Sequence, residues 1–427
     1  MPLHCAYKST VIIHAKRKRT ILDSTQYFKL YSVREDCLRA IVIAMKVLKH
    51  SSIVSGLAII LVLLSGIRSI AQDGLPPCSE RPSVVILPRI NYQYYCLEYV
   101  TQAQEGRPFA YTALAYMPDG TLYAARPLSG QVLALRDGNG DGLPEQERLA
   151  IEGLTLPNAL YVYEDALYIA GGPNVYRWQD GELFTLVDDL PTGTGLWTGG
   201  LAVYEDRLYV GIGANCDDCI PEPERGLLLS FDMQGNDRQV VADGVRQPAA
   251  LTVYEDAVWF SDIMPADDLR FPQDEINRLV PGGDYGYFAC AEEAACTGPV
   301  IPVAAGFSPM AMLAYEGAAF PNLQGTLLVL MGGAERTSML RGPELVTFRP
   351  SAEGFIADAL FPYDPLVMAA GPFLVDEATG YISEATTLLN QRGVGFWPQR
   401  LYGLAASPEG WLVFSVSDGR LMALRPR

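Results

Sequence analysis

The chain has 427 residues, 49% of them hydrophobic, and a formal net charge of −17. That charge argues against nucleic acid as a partner, because phosphates need Lys and Arg to neutralise them, and it disfavours anionic membrane surfaces. The length suits one large all-β domain.

Residues 1–44 read as an upstream extension or a start-site error ahead of Met45. Residues 45–72 read as a signal peptide: a basic stretch from Met45 to His50, an apolar run from Ile53 to Ile67, and small residues around Ser69-Ile70-Ala71. The run is shorter than the roughly 20 residues of a membrane span, so an uncleaved anchor is the rival reading. Residues 73–427 are then an exported domain, secreted, periplasmic or at the cell surface, touching a membrane only if the leader stays. This part has no Lys and no His, since His4, His14 and His50 all precede it.

Six cysteines remain in it: Cys78, Cys96, Cys216, Cys219, Cys290 and Cys296. An even count in an exported protein reads as disulfides, and of fifteen connectivities the short spacings favour 78–96, 216–219 and 290–296. A zinc site at Cys216-Asp217-Asp218-Cys219 would need two further ligands, and no His is there to supply one.

Strands are expected at Val84–Pro88 and Tyr94–Val100. A repeat follows. Tyr-Glu-Asp stands between two apolar runs at Tyr163, Tyr204 and Tyr254, with looser copies at Met117–Gly120, Tyr315–Gly317 and Ser407–Gly410. The six copies lie mostly roughly 40–60 residues apart, a period of stacked or radially arranged units. Alternating Val, Ile, Leu and Tyr on either side of an acidic or Gly turn is hairpin chemistry, and third strands are expected at Asn174–Trp178, Leu227–Phe231 and Leu345–Arg349. Four-stranded units repeated around an axis make a β-propeller, which protects its sheet edges by radial repetition. The prediction is all-β with six blades, the N-terminal strand completing the last blade and Trp411–Phe414 and Leu421–Leu424 supplying its inner strands. A long loop is expected from Ile263 to Pro302, and residues 350–400 give no clear blade.

Asp137-Gly138-Asn139-Gly140-Asp141-Gly142 places oxygen ligands at alternate positions with Gly at the sixth, as a tight calcium loop requires. Glu145 and Glu147 could add carboxylates, although Arg148 stands at the twelfth position. Asp137, Asn139, Asp141 and Glu145 are the candidate ligands, against the alternative of a plain surface turn.

Further on, Gln273-Asp274-Glu275-Ile276-Asn277-Arg278 precedes Pro281-Gly282-Gly283-Asp284-Tyr285-Gly286-Tyr287. With Gly211–Cys219, Arg246-Gln247-Pro248 and the Ser308-Pro309 to Phe320-Pro321 stretch, this resembles the soluble quinoprotein glucose/sorbosone dehydrogenases over roughly residues 84–345 and the last blade. The resemblance implies a six-bladed propeller using pyrroloquinoline quinone and calcium. It also implies a His as general base on a sugar hydroxyl, and Arg and Asn on the quinone. Here Arg246, Gln247 and, in an altered last-blade motif beside Trp397, Arg400 take the quinone-binding positions. Gly195-Leu196-Trp197-Thr198-Gly199-Gly200 resembles the turn that carries the His, and Trp197 stands in its place, or Leu196 if the alignment slips by one. An indole cannot accept a proton at neutral pH. The expectation is therefore a divergent member that has lost quinone-dependent sugar oxidation and binds a carbohydrate, another small polar ligand or a partner. The alternative is a quinone- and calcium-dependent aldose oxidoreductase with an altered site. Asp274 and Glu275 are then the candidate bases, or else structural carboxylates.

Overall fold

The computed structural model describes residues 75–85, 94–103, 109–217, 220–265, 273–287, 296–304, 306–333, 344–352, 354–361, 373–374 and 400–427. All of them belong to one compact unit, Leu75–Arg427. The expected leader, Trp397, Cys219 and Cys290 lie outside the described residues.

Strand β1 (Tyr95–Gln102) is followed by six sheets. The first holds β2 (Leu114–Tyr116), β3 (Leu122–Arg126), β4 (Gln131–Arg136) and β5 (Gln146–Ile151). The second holds β6 (Pro157–Tyr163), β7 (Ala166–Gly171), β8 (Asn174–Gln179) and β9 (Glu182–Val187). The third runs β10 (Thr198–Tyr204), β11 (Arg207–Ile212), β12 (Leu227–Asp232) and β13 (Gln239–Asp243). The fourth is β14 (Leu251–Tyr254), β15 (Ala257–Asp262), β16 (Gln273–Arg278) and, after β17 (Gly283–Asp284), β18 (Ile301–Ala304); β17 itself pairs in parallel with β13 of the third sheet. The fifth holds β19 (Pro309–Tyr315), β20 (Thr326–Met331), β21 (Glu344–Ser351), β22 (Gly354–Phe361) and β23 (Phe373–Leu374). The sixth is β24 (Leu401–Ala406), β25 (Leu412–Val416) and β26 (Arg420–Pro426), with β1 on its edge.

The first strands of the six sheets touch in a closed ring, β2–β6–β10–β14–β19–β24 and back to β2. This is the expected six-bladed propeller, and β1 closes its last blade with Cys96 opposite Arg425. Two details differ from the sequence reading. Ile263–Pro302 is not one loop, because β16, β17 and β18 lie in it and place Asp274 and Glu275 on a strand. The innermost strand of the last blade is β24, with Trp411–Phe414 second and Leu421–Leu424 third. The described part of 350–400 extends the fifth blade.

Alternation explains why both faces of each blade are apolar. On β7, Leu167 and Ile169 pack toward the first blade while Tyr168 and Ala170 pack toward the third. Each of the six blade interfaces has its own cluster of buried side chains. No single core exists; stability is distributed around the ring.

The repeated Tyr has a second role. Tyr163 donates to Asp206 in the next blade's turn, and Tyr204 donates to the Asp256 carbonyl at 2.7 Å. Tyr254 donates to the Gly325 carbonyl, and Tyr315 to the Gly410 carbonyl at 2.7 Å. In four successive blades the hydroxyl therefore latches one first hairpin to the next. The turns between them are tight: Glu205, Asp206, Glu255 and Asp256 all have φ between 46° and 57°, the left-handed values a two-residue hairpin turn demands. Since the hairpin turns latch at one end of the ring, the segments leading into the inner strands gather at the other.

Candidate functional site

The inner strands enclose a channel of about 330 Å³ whose wall carries small residues, among them Ala113, Ala159, Gly200, Ala250, Ala311 and Gly403. Small side chains leave the space open. At the end where the inner strands begin, Trp197 is 38% exposed. Phe109 lies between it and Tyr402, with ring centroids 6.1 Å from Trp197 and 5.8 Å from Tyr402. Tyr402 lines the channel itself. Three rings from segments belonging to three blades thus meet at the mouth. Trp197 was singled out from sequence; Phe109 and Tyr402 were not, because nothing local in either segment signals that the ring closure brings them together.

The wall around Trp197 is fixed through backbone. The Leu196 N–H donates to the Ala214 carbonyl at 2.9 Å, and the Ala214 N–H to the Arg246 carbonyl at 2.7 Å. The buried Arg225 guanidinium bonds the Gly213 and Leu196 carbonyls at 2.7 and 2.9 Å, pinning both segments. A Cβ at Gly199 would strike the Pro248 carbonyl, which also accepts the Gly200 N–H at 2.9 Å. Only Gly lets these two blades close this tightly.

Arg246 and Gln247 stand directly before β14. The Arg246 guanidinium bonds Asp217 Oδ1 from Nε and Nη2, at 2.9 and 2.8 Å, and the Ile263 carbonyl from Nη1. Gln247 gives its N–H to Asp262 at 2.6 Å and its carbonyl to the Ile263 N–H. Arg400, just before β24, has its guanidinium 3.9 Å from the Met310 sulfur. Tyr287 packs with Ala214 and Met264 and donates to the Cys216 carbonyl at 3.0 Å; burial pushes its hydroxyl up to about 12. Cys216 and Cys296 are each disulfide-bonded, and Cys78 is bonded to Cys96.

Both predicted carboxylates, Asp274 and Glu275, are buried. Asp274 is fully buried and accepts the N–H groups of Met264 and Ser308, at 2.9 and 2.8 Å. Asp262, which the sequence reading missed, is fully buried and accepts the N–H groups of Arg246 and Gln247. Burial raises its carboxyl to about 6, against the opposing effect of those backbone bonds. Glu275 stands opposite Asp262 across the β15–β16 ladder and is 8% exposed. Burial first, then the Asp262 charge, raises its carboxyl to about 8, so it is largely protonated at neutral pH. Asn277 Nδ2 donates to Glu275 at 3.1 Å, while Asn277 Oδ1 is buried without a hydrogen-bond partner.

The acidic loop lies apart from this mouth, after β4. Ligand atoms of Asp137, Asp141 and Glu145 lie within 4.8 Å of one another. Asp137 accepts the N–H groups of Asn139, Gly140 and Gly142, Asn139 accepts that of Asp141, and Glu145 accepts that of Gly138. An all-oxygen set this tight fits a hard cation. Glu147 is not part of it: it sits on β5 and takes Tyr111 at 2.6 Å and Arg126 at 3.1 Å.

A scan against protein-family models finds no match, and neither does a search of curated proteins. Solved structures do match. An enzyme of carbohydrate-active family AA12 from Trichoderma reesei is similar with a TM-score of 0.58 at 16% identity, over 81% of this chain and 98% of that one. The PQQ-bound aldose sugar dehydrogenase of Streptomyces coelicolor gives 0.50 at 18% identity over 80% and 100%. The soluble aldose sugar dehydrogenase of Escherichia coli gives 0.50 at 17% identity over 78% and 100%. The chain has the fold of the soluble sugar dehydrogenases. Among its described residues no helix is long and apolar enough to cross a membrane.

Proposed function

We propose that this is an exported sugar-dehydrogenase-like propeller that binds a carbohydrate or similar small polar ligand at its channel mouth without oxidising it. The observation that carries the reading is Trp197: a half-open indole, grouped with Phe109 and Tyr402, in the turn to which the sequence resemblance assigns the family's proton acceptor. Aromatic faces are good platforms for the apolar face of a sugar ring, and an indole cannot serve as a base. No imidazole exists between Gln72 and the C-terminus to replace it. The residues fit a quinone poorly, since Arg246 is already bonded to Asp217 and residues 73–427 contain no Lys. Calcium fits the loop of Asp137, Asn139, Asp141 and Glu145, where it would staple the connection between β4 and β5.

Glu275 supports a second reading, an oxidoreductase with an altered base, because a carboxyl raised to about 8 becomes a proton acceptor as the pH rises above neutral. Its position, 8% exposed between two blades and bonded to Asn277, favours the structural role. Glycan-array binding and titration calorimetry of hits test the proposal. Trp197→Ala should weaken binding by about tenfold or more, in the range of one lost stacking contact. Full-strength binding by that variant would refute the assigned site.

A further inference from the structure

On the wall bearing Trp197, the Arg246 guanidinium bonds an exposed acidic side chain, that of Asp217. Its own side chain is only 9% exposed, whereas that of Asp217 is 62% exposed. The two belong to different segments, joined by the Ala214 N–H to the Arg246 carbonyl, by the guanidinium to the Asp217 carboxylate, and through Tyr287, which donates to the Cys216 carbonyl. The Arg is held firmly from below by the Ile263 carbonyl and, through its N–H, by Asp262. Its Nε and Nη2 both go to a single oxygen, Asp217 Oδ1. A guanidinium presents a planar fork suited to two oxygens of a carboxylate or phosphate. Here that fork is filled by a solvent-exposed side chain of the chain itself.

We infer that Asp217 is a specificity determinant: it occupies the anion-binding fork of Arg246 and makes the mouth reject anionic ligands in favour of neutral ones. The inference rests on the mouth being the binding site, and it names the class of ligand admitted there. An incoming carboxylate must either displace Asp217 or sit beside it. The first exchanges one ion pair for another with no net gain, and the second places like charges together. A neutral polyol meets neither cost. The same site without Asp217 offers a guanidinium still mounted on the Ile263 carbonyl and beside the Tyr287 hydroxyl, with the place of Asp217 on Nε and Nη2 vacated.

The test uses citrate and inorganic phosphate as anionic probes on the intact protein, with thermal unfolding read against sodium chloride at matched ionic strength. The wild type should show no saturable rise in Tm. Asp217→Asn should show one, at millimolar probe or below, and Asp217→Asn/Arg246→Gln should lose it. A saturable rise in the wild type that disappears in Arg246→Gln would show that Asp217 does not block the fork. No rise in a folded Asp217→Asn variant would show that the fork takes no anion. Either result overturns the inference. Binding of neutral glycans by Trp197→Ala, measured separately, reports on the mouth as a site, so the two ideas fail independently.

Discussion

Glu275 gives the sharpest prediction for a single side chain. Its ordinary value is 4.5 and its folded value about 8, so between these the native state holds more protons than the unfolded chain. Its contribution to stability is complete below about pH 4.5 and is lost as pH rises through 8, at ~1.4 kcal/mol for each unit of displacement. Glu275→Gln removes this slope. Denaturant titrations from pH 5 to pH 9 should show a falling wild-type stability and a flatter profile for the variant, which overtakes the wild type at the alkaline end. Parallel profiles would mean the carboxyl ionises freely and is not the buried brace described here. Tyr315 makes the complementary point about neutral groups. Its hydroxyl both donates to the Gly410 carbonyl and accepts the Phe320 N–H, entirely buried. Tyr315→Phe leaves both backbone groups without that partner and should cost about 1–3 kcal/mol, seen as a lower denaturation midpoint at unchanged m-value.

Among the elements, the hairpin turns and the acidic loop differ in what local sequence discloses. The turns were legible because Tyr-Glu-Asp sits between alternating apolar runs, and alternation needs no partner to be read. The strain in them was not legible: Glu205 and Asp206 adopt φ of 48° and 57°, a conformation better suited to Asn-Gly. Replacing the equivalent pair Glu255-Asp256, at φ of 46° and 52°, by Asn-Gly keeps the backbone carbonyl that Tyr204 uses and should raise stability by up to about 1 kcal/mol, checked by equilibrium unfolding. The third strand of the fourth blade was read as loop because Gln273–Arg278 is polar at Asp274, Glu275 and Asn277, which hides the alternation. Asp274 is buried to hold the Met264 and Ser308 backbone, and Glu275 pairs with Asn277, arrangements that require the partner segments to be seen. The acidic loop was legible from its spacing alone. Calcium should raise Tm in a saturable way, and Asp137→Asn/Asp141→Asn should abolish the response. A calcium shift unchanged in that variant would move the site elsewhere.

For the whole propeller, closure is the event on which every interface depends. Glu98 on β1 is fully buried and bonds Arg81 at 2.9 Å and Arg425 on β26 at 2.6 Å, with Arg81 also reaching the Pro426 carbonyl. Burial works against the Glu98 charge, yet the hydrogen bonds of Arg425 and Ser83, the Arg425 charge and Arg81 outweigh it and hold the carboxyl below its usual range. Glu98→Gln would leave two buried guanidinium groups facing a neutral amide, at a cost of about 3–5 kcal/mol. The count of blades could be read from the repeat, since each unit repeats one local pattern, and the closing strand from the apolar run at Tyr94–Val100. The mouth could not, because Phe109, Trp197 and Tyr402 meet only once the ring is shut. Its emptiness of any imidazole could be read, and the function proposed here turns on that. Dye-coupled oxidation of a panel of aldoses and sugar alcohols, with pyrroloquinoline quinone and calcium supplied in excess, tests it most directly. The wild type should stay at the rate of the protein-free control for every sugar, including those it binds; turnover above that control, removed by Glu275→Gln, would contradict the account.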